Sequence, residues 1–227
     1  MTQGAFSVII YNYPEELLCN TSKRRNNMAI KKTGLNTLKL TQTAILAAVI
    51  LMMAFIPFLG YIHLGPLSAT TLVIPVAIGA AVIGPGAGAF LGLIFGATSY
   101  IQCFGLDPFG TTLNEINPVF TLIMCFIPRI LMGFLTGVIY KAVSKASSLA
   151  GAITCSIAAP ALNTVFFVGS LMLFFGTSEY IQSFGDSFIA VVAVLVTWNA
   201  VFELATTGVL GSVISPLIVK LEKKFKK

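Results

Sequence analysis

Charged side chains are scarce in this sequence. Lys, Arg, Asp and Glu make up 10% of the 227 residues, whereas 56% of the residues are hydrophobic. Soluble globular domains carry about 25% charged residues. The composition therefore excludes an ordinary soluble fold and indicates an integral membrane protein.

Residues that could perform catalysis are also few. His63 is the only histidine, and neither G-x-S-x-G nor H-E-x-x-H is present, so the usual nucleophile, base and metal-ligand sets are missing. The absence of G-x-x-x-x-G-K-[ST] excludes ATP hydrolysis by that route. Four cysteines lack C-x-x-C spacing, so we expect them to pack rather than to bind a metal: Cys19, Cys103, Cys125 and Cys155. We predict a protein that is not an enzyme and that needs no metal or cofactor.

Six apolar segments account for the hydrophobic content. Most reach the roughly 20 residues that a helix needs to cross about 30 Å of hydrocarbon, and none alternates as a barrel strand would. The segments are residues 40–59, 70–84, 87–103, 118–140, 149–176 and 188–219. We predict an all-α, six-helix membrane domain over residues 39–219.

The terminal regions differ in composition from this domain. Residues 1–22 contain no uninterrupted apolar core of signal-peptide length, and we expect residues 1–38 to form a disordered cytoplasmic tail. Met28 could also serve as a start, so we expect residues 1–27 to be dispensable. Residues 220–227 form a basic cytoplasmic tail.

Basic residues mark one side of the membrane. Thirteen of the 14 Lys and Arg residues precede the first segment, follow the fourth or follow the sixth. The opposite connectors hold acids and no base: Asp107, Glu115, Glu179 and Asp186. Since cytoplasmic connectors are enriched in Lys and Arg, both termini are predicted to be cytoplasmic, in a multi-pass membrane protein. The net charge of +6 is then a topology signal, with the lipid bilayer rather than nucleic acid as the expected partner.

The remaining base, Arg129, lies inside the fourth segment. Counting about 1.5 Å per residue from Pro118 places Arg129 roughly 16 Å deep, close to the bilayer centre. An unpaired charge there costs a few kcal/mol, roughly, so the side chain should face the bundle interior.

Two interpretations of Arg129 remain open. The side chain could hold a substrate carboxylate, in a pocket completed by Asn163, Trp198 and Asn199. Alternatively, it could form a structural ion pair with Glu203, which is expected about one helical turn deeper. Glycines four and eight residues after Arg129 favour close helix contact and hence the ion pair.

Asparagines at an outer loop are further candidates for substrate contacts. Asn114 and Asn117 lie where the loop after the third segment re-enters the membrane.

Small residues four positions apart predict helix contacts. Gly84, Gly88, Gly92 and Gly96 form one stripe, for which we expect packing within the chain. Ala44 and Ala48 form a similar stripe on the first segment. This second stripe could pack within the chain or receive a helix of a partner subunit.

Two stretches carry a resemblance to a known family. LGYIHLGPLSATTLVIPVAIGAAVIGPGAGAFLGLIFG, from Leu59 to Gly96, and IPRILMGFLTGVIYK, from Ile127 to Lys141, resemble the substrate-binding S components of energy-coupling factor (ECF) vitamin transporters. The likeness covers residues 39–219 and is strongest to the pantothenate-type members.

The resemblance implies a function. Such proteins capture a vitamin at the outer face and dock, through alanines that match Ala44 and Ala48, onto a membrane coupling protein that carries two ATPase subunits. ATP hydrolysis would then belong to the partners. Pantothenate is the expected substrate, with riboflavin, folate, pyridoxine and lipoate as alternatives. An autonomous small secondary transporter is a further alternative, although no halves-repeat typical of that class is found.

Overall fold

A computed structural model describes residues 37–56, 59–63 and 68–183, with the side chains of residues 62, 63, 68 and 69 left aside. By its internal contacts the chain divides into two units, Met1–Leu40 and Thr41–Lys227. In the first unit the described residues are 37–40. The sixth apolar segment and the basic tail lie outside the described residues.

Within the described ranges the fold is helical, with one small β-ribbon. The seven helices are α1 (Thr37–Phe55), α2 (Val73–Val82), α3 (Pro85–Gln102), α4 (Pro108–Ile116), α5 (Pro118–Val143), α6 (Ser148–Phe175) and α7 (Glu179–Gln182). Three of them, α1, α5 and α6, are long and apolar enough to cross a membrane. Six spans and the orientation of the termini stay predictions.

Five of the six apolar segments contain a helix, but their ends differ from the predicted ones. The first helix ends at Phe55 instead of residue 59, because a residue that precedes a proline disfavours helical backbone and Pro57 follows closely. The second helix begins at Val73 instead of residue 70, because the preceding residues form a strand.

That strand belongs to an antiparallel ribbon between α1 and α2. Strand β1 (Tyr61–His63) pairs with β2 (Ser68–Thr70), and Tyr61 stands opposite Thr70. At the base of the ribbon the Thr71 amide donates to the Gly60 carbonyl over 3.0 Å. The ribbon is an addition to the predicted all-α fold.

Proline occupies the first position of three helices: Pro85 in α3, Pro108 in α4 and Pro118 in α5. The first helical residue needs no N–H, so proline is well tolerated there. Gly84, which precedes α3, has φ 129°, a backbone conformation that is close to glycine-only.

The glycine stripe of α3 packs against α5, and the prediction of packing within the chain is confirmed. A β-carbon on Gly88 would overlap the carbonyl oxygen of Gly133, and one on Gly92 would overlap that of Arg129. A β-carbon on Gly96 would lie 2.7 Å from the Cys125 carbonyl oxygen. Gly84, at the end of the stripe, makes no such contact and serves as the cap of the helix. The two backbones approach so closely that no side chain fits between them.

The main hydrophobic core lies among α1, α2, α3, α5 and α6. Its buried members are Ile50, Ala54, Leu72, Val73, Val76, Leu91, Phe95, Met132 and Ala159. Phe95 also contacts Arg129 of the site described next, so this core helps to fix the position of that site.

Candidate ligand-binding site

Helices α3, α4, α5 and α6 and the β-ribbon enclose a cavity of about 60 Å³. Its walls combine polar, sulfur-containing and aromatic side chains with one cation and one acid: Tyr61, Thr70, Ser99, Gln102, Cys103, Asp107, Phe109, Gly110, Met124, Cys125, Arg129, Asn163 and Phe167. A small cavity with converging polar groups has the chemistry of a ligand site.

Arg129 supplies the positive charge of this cavity. The residue is 6% exposed, and its Nη1 donates to the Met124 carbonyl oxygen over 2.6 Å. Its Nε is buried and has no hydrogen-bond partner among the described residues. One side of the guanidinium is thus held by the backbone.

Two aromatic rings flank the guanidinium. Its central carbon lies 4.9 Å from the centroid of Phe167 and 5.6 Å from that of Phe95. Both distances fall within the roughly 6 Å range of a cation–π interaction, which stabilises a desolvated cation. In the described ranges Arg129 makes no ion pair, so the rings and the Met124 carbonyl are what stabilise its charge there.

Asn163 brings a second polar group to the cavity from α6. It is 4% exposed and lines the same space as Arg129. The structure therefore brings together two of the substrate-binding candidates, Arg129 and Asn163.

The β-ribbon and the end of α3 form a wall of hydroxyl and amide groups. Tyr61 Oη and Ser99 Oγ are 2.9 Å apart, and Gln102 Nε2 donates to the Ala54 carbonyl oxygen over 2.8 Å. The Thr70 hydroxyl oxygen is buried and has no partner among the described residues. Burial raises the pKa of the Tyr61 phenol to about 12, against hydrogen bonds with Ser99 and Thr98 that lower it. Tyr61 is consequently a protonated hydroxyl at neutral pH.

Two cysteines meet at the cavity wall. The sulfur atoms of Cys103 and Cys125 are 3.9 Å apart, and both side chains are buried. Cys155 lies elsewhere and donates to the Thr136 carbonyl over 3.4 Å, as a packing residue would. Among the described residues no cluster of His, Cys, Asp and Glu could hold a metal ion.

Asp107 has a structural role at the edge of the cavity. Its Oδ2 accepts a hydrogen bond from the Gly110 amide over 2.9 Å and caps α4. An aspartate at this position stabilises the amide end of a helix.

The other predicted site residues lie apart from the cavity or beyond the described ranges. Asn117 caps α5, because its Oδ1 accepts from the Val119 and Phe120 amides, each over 3.1 Å. Asn114 is on α4 and does not line the cavity. Trp198, Asn199 and Glu203 lie outside the described residues, so both the extended pocket and the ion pair with Glu203 stay predictions.

Several cavity residues were not predicted from the sequence. Gln102 and Cys103 lie three and four residues after Ser99, which places both on the same face as Ser99 at the end of an apolar helix. That polar face was a usable signal. Tyr61 and Thr70 gave none, because a three-residue strand is too short to show a period.

Comparison with known proteins adds a family and two relatives. A family model described as "ECF transporter, substrate-specific component" matches residues 38–219. The pantothenic acid transporter PanT of Lactococcus lactis subsp. cremoris is 31% identical over 196 residues, which cover 80% of this chain and 95% of the relative. The pantothenate transporter PanT of Leuconostoc mesenteroides subsp. mesenteroides is 36% identical over 103 residues, which cover 44% of this chain and 48% of the relative.

Proposed function

Because this chain belongs to the family of ECF transporter substrate-specific components, we propose that it captures pantothenate outside the cell and presents it to an ECF module for ATP-driven uptake. As a transporter component it is not an enzyme. ATP hydrolysis belongs to partner subunits in this proposal.

One observation carries the choice of substrate: Arg129 lines the cavity, and its buried Nε has no hydrogen-bond partner among the described residues. Pantothenate has a carboxylate at one end, and an arginine fork binds carboxylates through paired, charge-assisted hydrogen bonds. One N–H of Nη1 donates to the Met124 carbonyl, so Nε and Nη2 form the side of the guanidinium that we propose for the carboxylate. The names of both relatives agree with this choice.

The rest of pantothenate matches the other walls of the cavity. The molecule continues from its carboxylate through an amide to two hydroxyl groups. Asn163 can bind the amide, and Tyr61, Thr70 and Ser99 supply hydroxyl groups for the far end. Trp198 and Asn199 are further proposed contacts.

Binding also requires the cavity to enlarge. Pockets for drug-sized ligands measure roughly 300–1,000 Å³, whereas this cavity has about 60 Å³. The β-ribbon contacts α3 through hydrogen bonds of Tyr61 with Ser99 and Thr98. We propose that the ribbon moves to enlarge the space.

Docking on the ECF module is proposed to use α1. Ala44 and Ala48 are both exposed on this helix, which buries only Ile50 and Ala54. Small side chains let a partner helix approach closely in a membrane. The exposed stripe thus has the shape that a helix of the membrane coupling protein requires.

Binding to a panel of vitamins tests the substrate. We expect the purified protein to bind pantothenate in preference to riboflavin, folate, pyridoxine and lipoate, measured by calorimetric titration in detergent. Arg129→Gln should weaken pantothenate binding roughly 10- to 100-fold, since a hydrogen bond to a charged group is lost. It should leave pantothenol, in which a hydroxymethyl group replaces the carboxylate, nearly unaffected. Preference for another vitamin would contradict the proposal.

A charge exchange separates the two interpretations of Arg129. In the variant Arg129→Glu with Glu203→Arg, a carboxylate anchor predicts loss of pantothenate binding by a folded protein. Preserved fold and preserved affinity would instead establish the structural ion pair. Uptake by the chain alone in liposomes, driven by an ion gradient, would support the autonomous transporter.

A further inference from the structure

Pro128 immediately precedes Arg129 in the interior of α5. Proline has no backbone N–H, so the carbonyl four residues earlier loses its helical donor. That carbonyl belongs to Met124. A buried carbonyl without a partner costs roughly 1–3 kcal/mol, so another donor must replace the missing amide.

Arg129 is that donor. Its Nη1 lies 2.6 Å from the Met124 carbonyl oxygen. Helical side chains lean toward the amino end of the helix and lie over the preceding turn, which is why a long side chain at position 129 reaches a carbonyl five residues earlier. The side chain of Arg129 therefore takes the place of the hydrogen bond that Pro128 removes.

This contact restricts the guanidinium. With Nη1 fixed on the backbone and the rings of Phe95 and Phe167 beside it, the group has little freedom to rotate. Pre-organised donors bind a ligand better than mobile ones, because less entropy is lost on binding.

We infer that Pro128 is a positioning residue for carboxylate recognition: by freeing the Met124 carbonyl, it fixes Arg129 in the orientation that leaves Nε for the ligand. The inference rests on the proposed function and deepens it. Pro128 itself contacts no substrate in this account and acts through Arg129.

Replacement of the proline tests the inference. In Pro128→Ala the new amide can donate to the Met124 carbonyl and release Nη1. The variant should fold and be at least as thermostable as the wild type, because a helix interior favours alanine over proline. We expect its pantothenate affinity to fall roughly 10-fold or more, with pantothenol affinity changed much less.

Pro160→Ala provides a matched control. Pro160 is also buried in the interior of a long helix, α6, and its removal also restores a helical amide. It should leave the ratio of pantothenate to pantothenol affinity as in the wild type. An equal change of this ratio in the two variants would overturn the inference, since the effect would then be a general one of straightening a helix.

If Pro128→Ala does not fold, a second variant provides the test. This variant exchanges two neighbouring residues, Ile127→Pro with Pro128→Ile. It keeps a proline in α5 but frees the carbonyl of Ile123 and not that of Met124. It should lose the preference for the carboxylate in the same way, and an unchanged preference would overturn the inference.

Comparison of Pro128→Ala with Arg129→Gln separates failure of the positioning role from failure of the carboxylate anchor. If Arg129→Gln loses the preference for pantothenate over pantothenol and Pro128→Ala keeps it, the positioning role is wrong and the proposed function stands. If Arg129→Gln also keeps the preference, the carboxylate anchor is wrong, and the positioning role is wrong with it. Loss in both single variants, with no further loss when they are combined, supports positioning through one shared contact.

Discussion

The backbone carbonyl of Arg129 in α5 packs directly against Gly92 in α3. The residue that carries the charge of the cavity is therefore held at both ends, by its side chain on Met124 and by its backbone on a glycine. The position of the guanidinium depends on how closely the two helices approach.

Gly92→Ala should consequently disturb both stability and binding. The added β-carbon would overlap the Arg129 carbonyl oxygen, and helix backbones cannot yield as a flexible side chain can. We expect a loss of roughly 1–3 kcal/mol in the free energy of unfolding, seen as a lower midpoint of thermal unfolding in detergent, together with weaker pantothenate binding.

Gly169→Ala is the control for this change. Gly169 is exposed on α6, and an added β-carbon there meets nothing within 4 Å. Alanine is also the better helix former, so this variant should be at least as stable as the wild type. Equal destabilisation of both variants would argue against specific contact between α3 and α5.

Asn117 should affect stability more than binding. Its side chain caps α5 with two backbone hydrogen bonds. Asn117→Ala is expected to cost about 0.5–2 kcal/mol, whereas Asn117→Asp retains a capping oxygen and should cost little. Pantothenate affinity, measured by titration below the unfolding temperature, should stay within about three-fold in both variants, a change of less than roughly 1 kcal/mol. A large loss of affinity in Asn117→Asp would restore this residue as a substrate contact.

The raised pKa of Tyr61 predicts that the folded protein loses stability at alkaline pH. Its folded-state pKa is raised from 10.0 to about 12 by burial. Above pH 10 the unfolded chain releases the phenolic proton before the folded chain does, so stability falls as the pH rises toward 12. The unfolding midpoint of the wild type should decrease more steeply over this interval than that of Tyr61→Phe, which has no such proton. Parallel decreases would show that Tyr61 does not contribute.

Substitutions in the alanine stripe of α1 should abolish docking on the ECF module without affecting pantothenate binding. Ala44→Trp and Ala48→Trp place a large side chain on an exposed surface, so the fold and pantothenate binding should be retained. Co-purification with the ECF module should be lost, because a partner helix can no longer approach. Ala161→Trp, at an exposed alanine of α6, should leave co-purification intact. Loss of the module in all three variants would contradict a specific docking stripe.

Periodic features of the chain were predictable. Glycines every four residues placed Gly88, Gly92 and Gly96 on one face, and that face is where α3 meets α5. Spacing along a helix determines which side chains share a face, so this packing could be derived from sequence alone.

Features that depend on distant contacts were harder to predict. The ribbon strands have three residues each, too few to show a clear period. The pairing of Cys103 with Cys125 depends on how two helices are placed side by side, which their separation of 22 residues does not reveal. For Arg129, the sequence indicated burial, but the Met124 carbonyl became its partner only because Pro128 removes an amide.

Position 84, at the turn into α3, is restricted by its backbone conformation and not by the space for a side chain. An added β-carbon at Gly84 would meet nothing within 4 Å, yet the backbone there has φ 129°, which L-residues rarely adopt. The mirror image of this conformation is ordinary extended backbone. A D-alanine introduced at position 84 by chemical ligation would therefore fit where every L-residue is strained.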